Sequence, residues 1–227
     1  MSDIGTLGPM ATPSPANLRA FVRRHTRLVT LDDLPGIRLH VADDVVDVWS
    51  RARAALATPD APVPFWAFAW SGGLAVARYI LDHPAEVRGR RVLDLGTGSG
   101  LCAIAAVKAG ASSVLAADVD PLAIAAAEVN ARANGVRFAL RRDDLLVSLP
   151  PEADVILAGD VSYEETMGRR MAEWLAGAAR IGIRVLIGDP GRRYLPAGLE
   201  RVASYRVTTN REIESAAVTA AAVYTFV

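Results

Sequence analysis

Arg91-Val92-Leu93-Asp94-Leu95-Gly96-Thr97-Gly98-Ser99-Gly100 reads as a short apolar strand carrying a carboxylate, followed by three alternating glycines that open an Ala-rich helix. Glycine has no Cβ, so such a turn lets a ligand approach bare backbone. The first helical turn also aims free N–H groups at that ligand. Dinucleotide-binding turns follow G-x-G-x-x-G, whereas the spacing here is G-x-G-x-G, with Asp94 two residues before the first glycine. A carboxylate there repels a pyrophosphate but accepts a hydrogen bond from an ammonium group. These residues favour a ligand with an amino acid end and disfavour a nicotinamide-linked dehydrogenase.

The next segments extend the pattern. Val114-Leu115-Ala116-Ala117-Asp118 reads as a second strand ending in an acid, at the distance expected for a carboxylate gripping ribose hydroxyls. Asp120 is placed as an N-cap and Pro121 as the first helical residue. The helix Leu122–Ala133 ends at Asn134-Gly135, a C-cap signal. A short strand, Val136–Leu140, precedes Asp143-Asp144-Leu145. A lone glycine motif also fits a simple strand-to-helix turn, but four elements in this order argue for a cofactor site. D-L-G-T-G-S-G resembles the first motif of class I S-adenosylmethionine (SAM) methyltransferases, and that resemblance implies an acid near the adenine amino group at Asp143-Asp144.

At 227 residues the chain suits one α/β domain with an N-terminal elaboration. Lysine plus arginine equals aspartate plus glutamate at 25 each, so no net charge draws it to nucleic acid or to a membrane surface. No apolar run approaches the ~20 residues that span a bilayer. The N-terminus shows neither a secretory nor a transit peptide pattern. The single cysteine, Cys102, excludes an internal disulfide and a Cys-based zinc site; it reads as a small buried thiol. His25, His40 and His83 have no metal spacing. A monomeric, cytoplasmic protein without a metal is expected.

Residues 1–15 lack periodicity and are expected to be disordered. Asn17–Val29 reads as an amphipathic helix, Ile37–Val41 as a strand, and Asp44–Ala57 as a helix capped by Asp43 or Asp44. Pro59, Pro62 and Pro64 force an extended connection. From Arg91 onward strands and helices alternate, which predicts an α/β fold with a mostly parallel sheet and helices on both faces. Later strands are expected at Asp154–Ala158, Arg184–Ile187, Tyr205–Thr209 and Ala221–Val227, the last two closing the sheet as an antiparallel hairpin.

Two segments point to a substrate. In Pro64-Phe65-Trp66-Ala67-Phe68-Ala69-Trp70-Ser71-Gly72-Gly73-Leu74, Phe68 reads as a core plug. Trp70 precedes Ser71, the expected N-cap of a helix Gly72–Leu81, and is aimed at the strand ends where open α/β sheets bind ligands. An aromatic face there attracts a sulfonium or a cationic substrate. In Leu157-Ala158-Gly159-Asp160-Val161-Ser162-Tyr163-Glu164, Asp160 is either the cap of the following helix or an acceptor for a substrate amine. The second role has a chemical purpose. Lysine titrates near 10.4, so at neutral pH only about one amine in two thousand is uncharged, and methyl transfer needs the nitrogen lone pair. A carboxylate can hold the amine N–H bonds and point the lone pair at the methyl group, although it also favours the ammonium form.

The P-F-W-A-F-A-W-x-G-G segment, A-G-D-V-x-Y-E and Gly188-Asp189-Pro190-Gly191-Arg192-Arg193-Tyr194-Leu195-Pro196 together resemble the lysine methyltransferases of the electron-transfer flavoprotein β-subunit. Bacterial members of that group are often labelled predicted nicotinamide N-methyltransferases. The resemblance covers roughly residues 60 to 227. It implies a Rossmann-like seven-stranded sheet in one domain over 16–227, with an N-terminal helical elaboration over 16–84 and a SAM-binding core over 85–227. It also implies SAM as cofactor, held by Trp70, Asp94, Gly96, Thr97, Gly98, Gly100, Asp118, Val119, Asp144, Leu145 and Gly159, with Asp160 and Tyr163 at the target lysine. Ser162 stands where a phenylalanine is expected, which predicts a narrower or more polar pocket wall. The Asp189–Pro196 loop reads either as a chain reversal or as an Arg192-Arg193 pair facing an acidic partner. Methylation of a small nitrogen heterocycle, and a catalytically silent SAM-binding partner protein, are the alternative functions.

Overall fold

The computed structural model describes residues 13–56, 58, 61–209 and 218–227, so the expected N-terminal tail lies outside the described residues except for its last three. Helix α1 (Pro15–His25) starts where the Ser14 side chain accepts from Asn17 N–H, with Pro15 in the first turn. It ends four residues before the expected Val29. Arg27–Leu31 is instead a strand, β1, paired antiparallel with β2 (Leu34–Val41). The stiff Val29 and Thr30 side chains suit a pleated surface better than a helix. The N-terminal elaboration therefore carries a two-stranded sheet, with β1 added to the expected strand at Ile37–Val41. In α2 (Val45–Leu56) the cap is Asp44, which accepts from the Val46 and Asp47 N–H groups, while Asp43 pairs with Arg27.

After a one-turn helix at Phe65–Ala67 come α3 (Ser71–Asp82), β3 (Arg91–Leu95), α4 (Leu101–Lys108), β4 (Ser113–Asp118) and α5 (Pro121–Ala133). Trp70, not Ser71, occupies the N-cap position of α3. Asp120 caps α5 through Leu122 N–H, and Asn134 closes it before Gly135, as expected. The remaining elements are β5 (Ala139–Arg142), β6 (Val155–Gly159), α6 (Glu165–Arg180), β7 (Arg184–Asp189), β8 (Leu199–Thr208) and β9 (Val218–Phe226). β5 starts three residues later than its apolar residues suggest, because Val136 N–H still bonds back to Ala131 at the end of α5.

The main sheet has seven strands in the order β5-β4-β3-β6-β7-β9-β8. β3 to β7 run parallel, and β9 pairs antiparallel with both β7 and β8. Both faces of the sheet are covered. Along β6, Val155 and Leu157 join a core with α3 and α4, while Ile156 and Ala158 join one with Leu175 and Ala178 of α6. Continuous apolar strands of this kind are the signature of a parallel sheet buried on both sides. Strand order reverses at β3, so the connections on its two sides lead in opposite directions and leave a crevice at the carboxyl ends of the strands, where such sheets bind ligands.

Two sets of contacts fix the walls of that crevice. Asn130 of α5 is fully buried, donates to Ser99 C=O at 2.8 Å and accepts from His40 N–H at 2.7 Å, so it ties β2 to the glycine turn. On the other side, the start of α3 presses against the ends of β6 and β7. A Cβ at Gly188 would overlap the Gly72 carbonyl, and one at Gly159 would lie 2.7 Å from Gly73 Cα. Only side chains without a Cβ allow this approach.

Candidate active site

A cavity of about 260 Å³ occupies the crevice. Its floor is the glycine turn, its sides are the ends of β4 and β6, and its rim includes the aromatic segment before α3, Met167 and Met171 of α6, and Arg192.

Asp94 is 2% exposed at the end of β3 and lines this cavity. Its Oδ2 accepts from the Thr97 hydroxyl at 2.5 Å and from Ala103 N–H at 3.0 Å. Burial pushes its pKa up to about 6, and the charge of Asp118 adds to the shift, against the pull of those two donors. Thr97 thus acts on the carboxylate as well as facing the cavity. Asp118, at the end of β4, accepts from Gly98 N–H through Oδ2 and from Asp120 N–H through Oδ1, each near 3 Å. Burial raises it too, countered by these backbone donors. Both carboxylates keep acceptor positions that a cationic or hydroxyl-bearing ligand can use.

Gly96 and Gly98 line the cavity with φ of 66° and 51°. Gly100 does not line it, contrary to the expectation. A Cβ there would meet the Cα and Cβ of Ala127 at 3.0 Å, so this third glycine serves the packing of α4 on α5. Val119, Leu145 and Gly159 lie on the cavity wall. Asp144 also borders it, but its Oδ1 accepts from Leu146 N–H and its Oδ2 from Arg170 at 2.7 Å. Arg170 holds that carboxyl below the usual range.

Trp70 borders the cavity, with its indole N–H anchored on Phe65 C=O at 2.8 Å and its ring edge-on to Phe65 and Phe68. Phe68 is 3% exposed and belongs to the core with α1, α2 and α5, as a plug should. Tyr163 is 47% exposed and its ring lies 4.8 Å from that of Phe65, making an aromatic mouth. Partial burial and the charges of Asp118 and Glu164 raise the Tyr163 hydroxyl, so it stays neutral near pH 7. Ser162 is 1% exposed and is not part of the cavity lining. The polar pocket wall expected from it is therefore absent, because the turn after β6 points its side chain inward, with its Cα near Gly168.

Asp160 does not cap α6. Glu164 does so, accepting from the Thr166 and Met167 N–H groups. Asp160 has a φ of 56°, rare for a residue other than glycine, though aspartate tolerates it. This backbone turns the carboxylate back across the sheet ends. Its Oδ2 accepts from Gly73 N–H at 2.9 Å, in the first turn of α3, and its Oδ1 lies 2.6 Å from Arg192 Nη2. Arg192 was legible only as part of a loop pair of unknown direction. Asp189, fully buried, accepts from the Gly191 and Arg192 N–H groups and so folds the loop that sends Arg192 inward. Arg193 instead lies over the Tyr194 ring. The Arg192 Nε–H has no protein partner among the described residues.

These groups fit SAM part by part. A glycine turn without Cβ atoms suits close approach to an amino acid moiety, a buried carboxylate suits its ammonium, the acid ending β4 suits ribose, and the aromatic rim suits a sulfonium. When bound, SAM supplies an electrophilic methyl group.

The ribosomal protein L11 methyltransferase family (PrmA) matches residues 79–160, the span from α3 to Asp160. The electron transfer flavoprotein beta subunit lysine methyltransferase of Rattus norvegicus is 35% identical over 217 residues, covering 92% of this chain and 84% of the relative. The Homo sapiens protein of that name is 33% identical over 217 residues, covering 92% of this chain and 82% of its own. Among solved structures, Trm5b of Pyrococcus abyssi aligns with a TM-score of 0.55 at 16% identity, over 89% of this chain and 56% of that one, a likeness of fold alone. Identity at this level across most of both chains, joined to a cavity with the chemistry such enzymes need, makes this chain a SAM-dependent methyltransferase that belongs to the electron transfer flavoprotein beta subunit lysine methyltransferase family.

Proposed function

We propose that this enzyme methylates lysine side chains of the electron-transfer flavoprotein β-subunit, acting as a cytoplasmic monomer, with Asp160 and Tyr163 at the target amine. The observation that carries the reading is the Asp160 carboxylate on the cavity wall, between the glycine turn and a mouth formed by Phe65 and the half-exposed Tyr163. An open aromatic mouth suits an alkyl-amine side chain presented by a protein better than a heterocycle that must be enclosed. The names of the relatives support the same substrate.

In this reading the turn from Gly96 to Gly98, with Asp94 and Asp118, orients the cofactor. Trp70 and Phe65 exclude water from the reacting centre, and Tyr163 forms the wall along the lysine methylenes. Asp160 accepts an amine N–H and directs the nitrogen lone pair toward the methyl group. The Gly73 N–H and the Arg192 guanidinium hold that carboxylate in place. With SAM bound, the nitrogen lone pair would form the new N–C bond as the sulfonium S–C bond breaks and a neutral thioether leaves, and the resulting methylammonium would release its proton to solvent through the mouth.

The test is methyl transfer from radiolabelled SAM to the purified flavoprotein β-subunit and, separately, to nicotinamide. Label on lysines of the protein is expected. Label on nicotinamide alone would replace this reading with the small-molecule one.

Asp94 gives the cofactor site a pH dependence. Its pKa near 6 in the free protein means that it is mostly protonated at pH 5, when it no longer attracts an ammonium. SAM affinity should be full above pH 7 and fall about tenfold by pH 5, as calorimetry would read. In the unliganded protein the sign is opposite: the raised value makes ionised Asp94 a cost that appears as pH rises toward 6. Asp94→Asn should bind weakly and lose the dependence. Native affinity that is flat from pH 8 to 5 would remove Asp94 from the ammonium site.

A further inference from the structure

A bare carboxylate beside a substrate lysine creates a conflict. It holds the amine in place, yet its negative charge favours the ammonium form, which has no lone pair to give. Arg192 resolves that conflict. Its guanidinium touches Asp160 at 2.6 Å and lines the same cavity. Only 25% of the Arg192 side chain and 8% of that of Asp160 is exposed, so the pair is poorly screened by water. The loop geometry is also built for it, through the two N–H bonds that Asp189 accepts from Gly191 and Arg192.

Resting on the lysine-methyltransferase reading, we propose that Arg192 is a positioning residue that holds Asp160 as a charge-neutral ion pair, so that the site accepts the target lysine as a free amine and disfavours its ammonium form. The pair keeps the acceptor oxygens of Asp160 aimed into the cavity, while the adjacent cation opposes a second positive charge there. The surrounding ionisable groups do not undo this balance. Asp94 and Asp118 face the glycine turn, where the cofactor's ammonium and ribose are placed. Glu164 is committed to the first turn of α6, and Asp189 to the Arg192 loop. The Cys102 thiol is buried and pushed upward by its surroundings, Asp160 among them, so it carries no charge. Tyr163 stays neutral.

The experiment compares wild type, Arg192→Gln and Arg192→Lys with the flavoprotein β-subunit as substrate and saturating SAM, following kcat from pH 6.5 to 10 alongside SAM affinity and melting temperature. Arg192→Gln removes the charge and is expected to lose at least tenfold in rate at pH 7.5. The acid limb of its profile should move upward by about one pH unit, so that the loss shrinks toward pH 10. SAM affinity should stay within a few-fold. Arg192→Lys keeps a cation and should return the limb to the wild-type position, even though its contact with Asp160 is looser. A loss in Arg192→Gln that is the same at every pH, or a lysine variant no better than the glutamine one, would overturn the charge-balancing role while leaving the parent reading intact. No lysine methylation by the wild-type enzyme would overturn the parent reading, and this proposal with it.

Discussion

Asp160→Ala should lower methyl transfer about 10²-fold or more while SAM affinity stays within a few-fold, because the variant loses orientation of the amine rather than the cofactor's own contacts. Stability should fall as well. Gly73 N–H in the first turn of α3 would lose its acceptor, at a cost of about 0.5–2 kcal/mol for a cap. Arg192 would lose its counter-ion, although a quarter of its side chain reaches solvent, which keeps that loss below the 3–5 kcal/mol of a fully buried broken pair. In a domain of this size each kcal/mol lowers Tm by about 2–4 °C, so the assays belong well below the variant's melting temperature. Asp160→Asn keeps the shape and one acceptor oxygen but loses the charge, and should fall between wild type and alanine in turnover. Tyr163→Phe separates hydroxyl from ring: a small loss marks an aromatic wall, a large one a hydrogen bond to substrate. Wild-type turnover in a merely destabilised Asp160→Ala protein would leave Asp160 as a tie between β6 and α3 and nothing more.

Gly98→Val is expected to abolish SAM binding in a protein that still folds. At this position a Cβ has room, with Trp66 Cα the nearest atom at 3.8 Å. Two obstacles follow from the valine. Its φ would have to stay near 51°, a region that β-branched residues avoid, and its methyl groups would project from the turn that lines the cavity. Gly98 N–H also anchors Asp118 at 2.9 Å, so any shift of the turn would carry that cavity-lining carboxylate with it. Circular dichroism should show a native-like fold, and calorimetry no measurable SAM binding. Near-normal affinity in a folded variant would refute the placement of the cofactor on this turn. The corresponding change at Gly100 tests something else: a Cβ there strikes α5, so it should act through stability.

The local units of this protein were written in its sequence. The strand, glycine turn and helix around Asp94, the Asp120-Pro121 start and Asn134-Gly135 end of α5, and the apolar runs of β6 and β7 each depend on residues a few positions apart. Backbone dihedral preference, capping and apolar period act over that same distance. β1 is hidden in the sequence because the apolar spacing of α1 runs on past His25, and only pairing with β2 makes Arg27–Leu31 a strand. What the carboxylate at 160 touches was not legible at all. Its partners Gly73 and Arg192 lie 87 and 32 residues away, and they meet it only because Gly72, Gly159 and Gly188 let α3 close on the strand ends and Asp189 turns the next loop inward. The inward turn of Ser162 and the packing role of Gly100 have the same origin. Local chemistry selects the elements and places the candidate carboxylates at strand ends; long-range packing determines which charges face each other across the cavity, since a one-dimensional pattern carries no information on the approach of backbones that have no side chain between them.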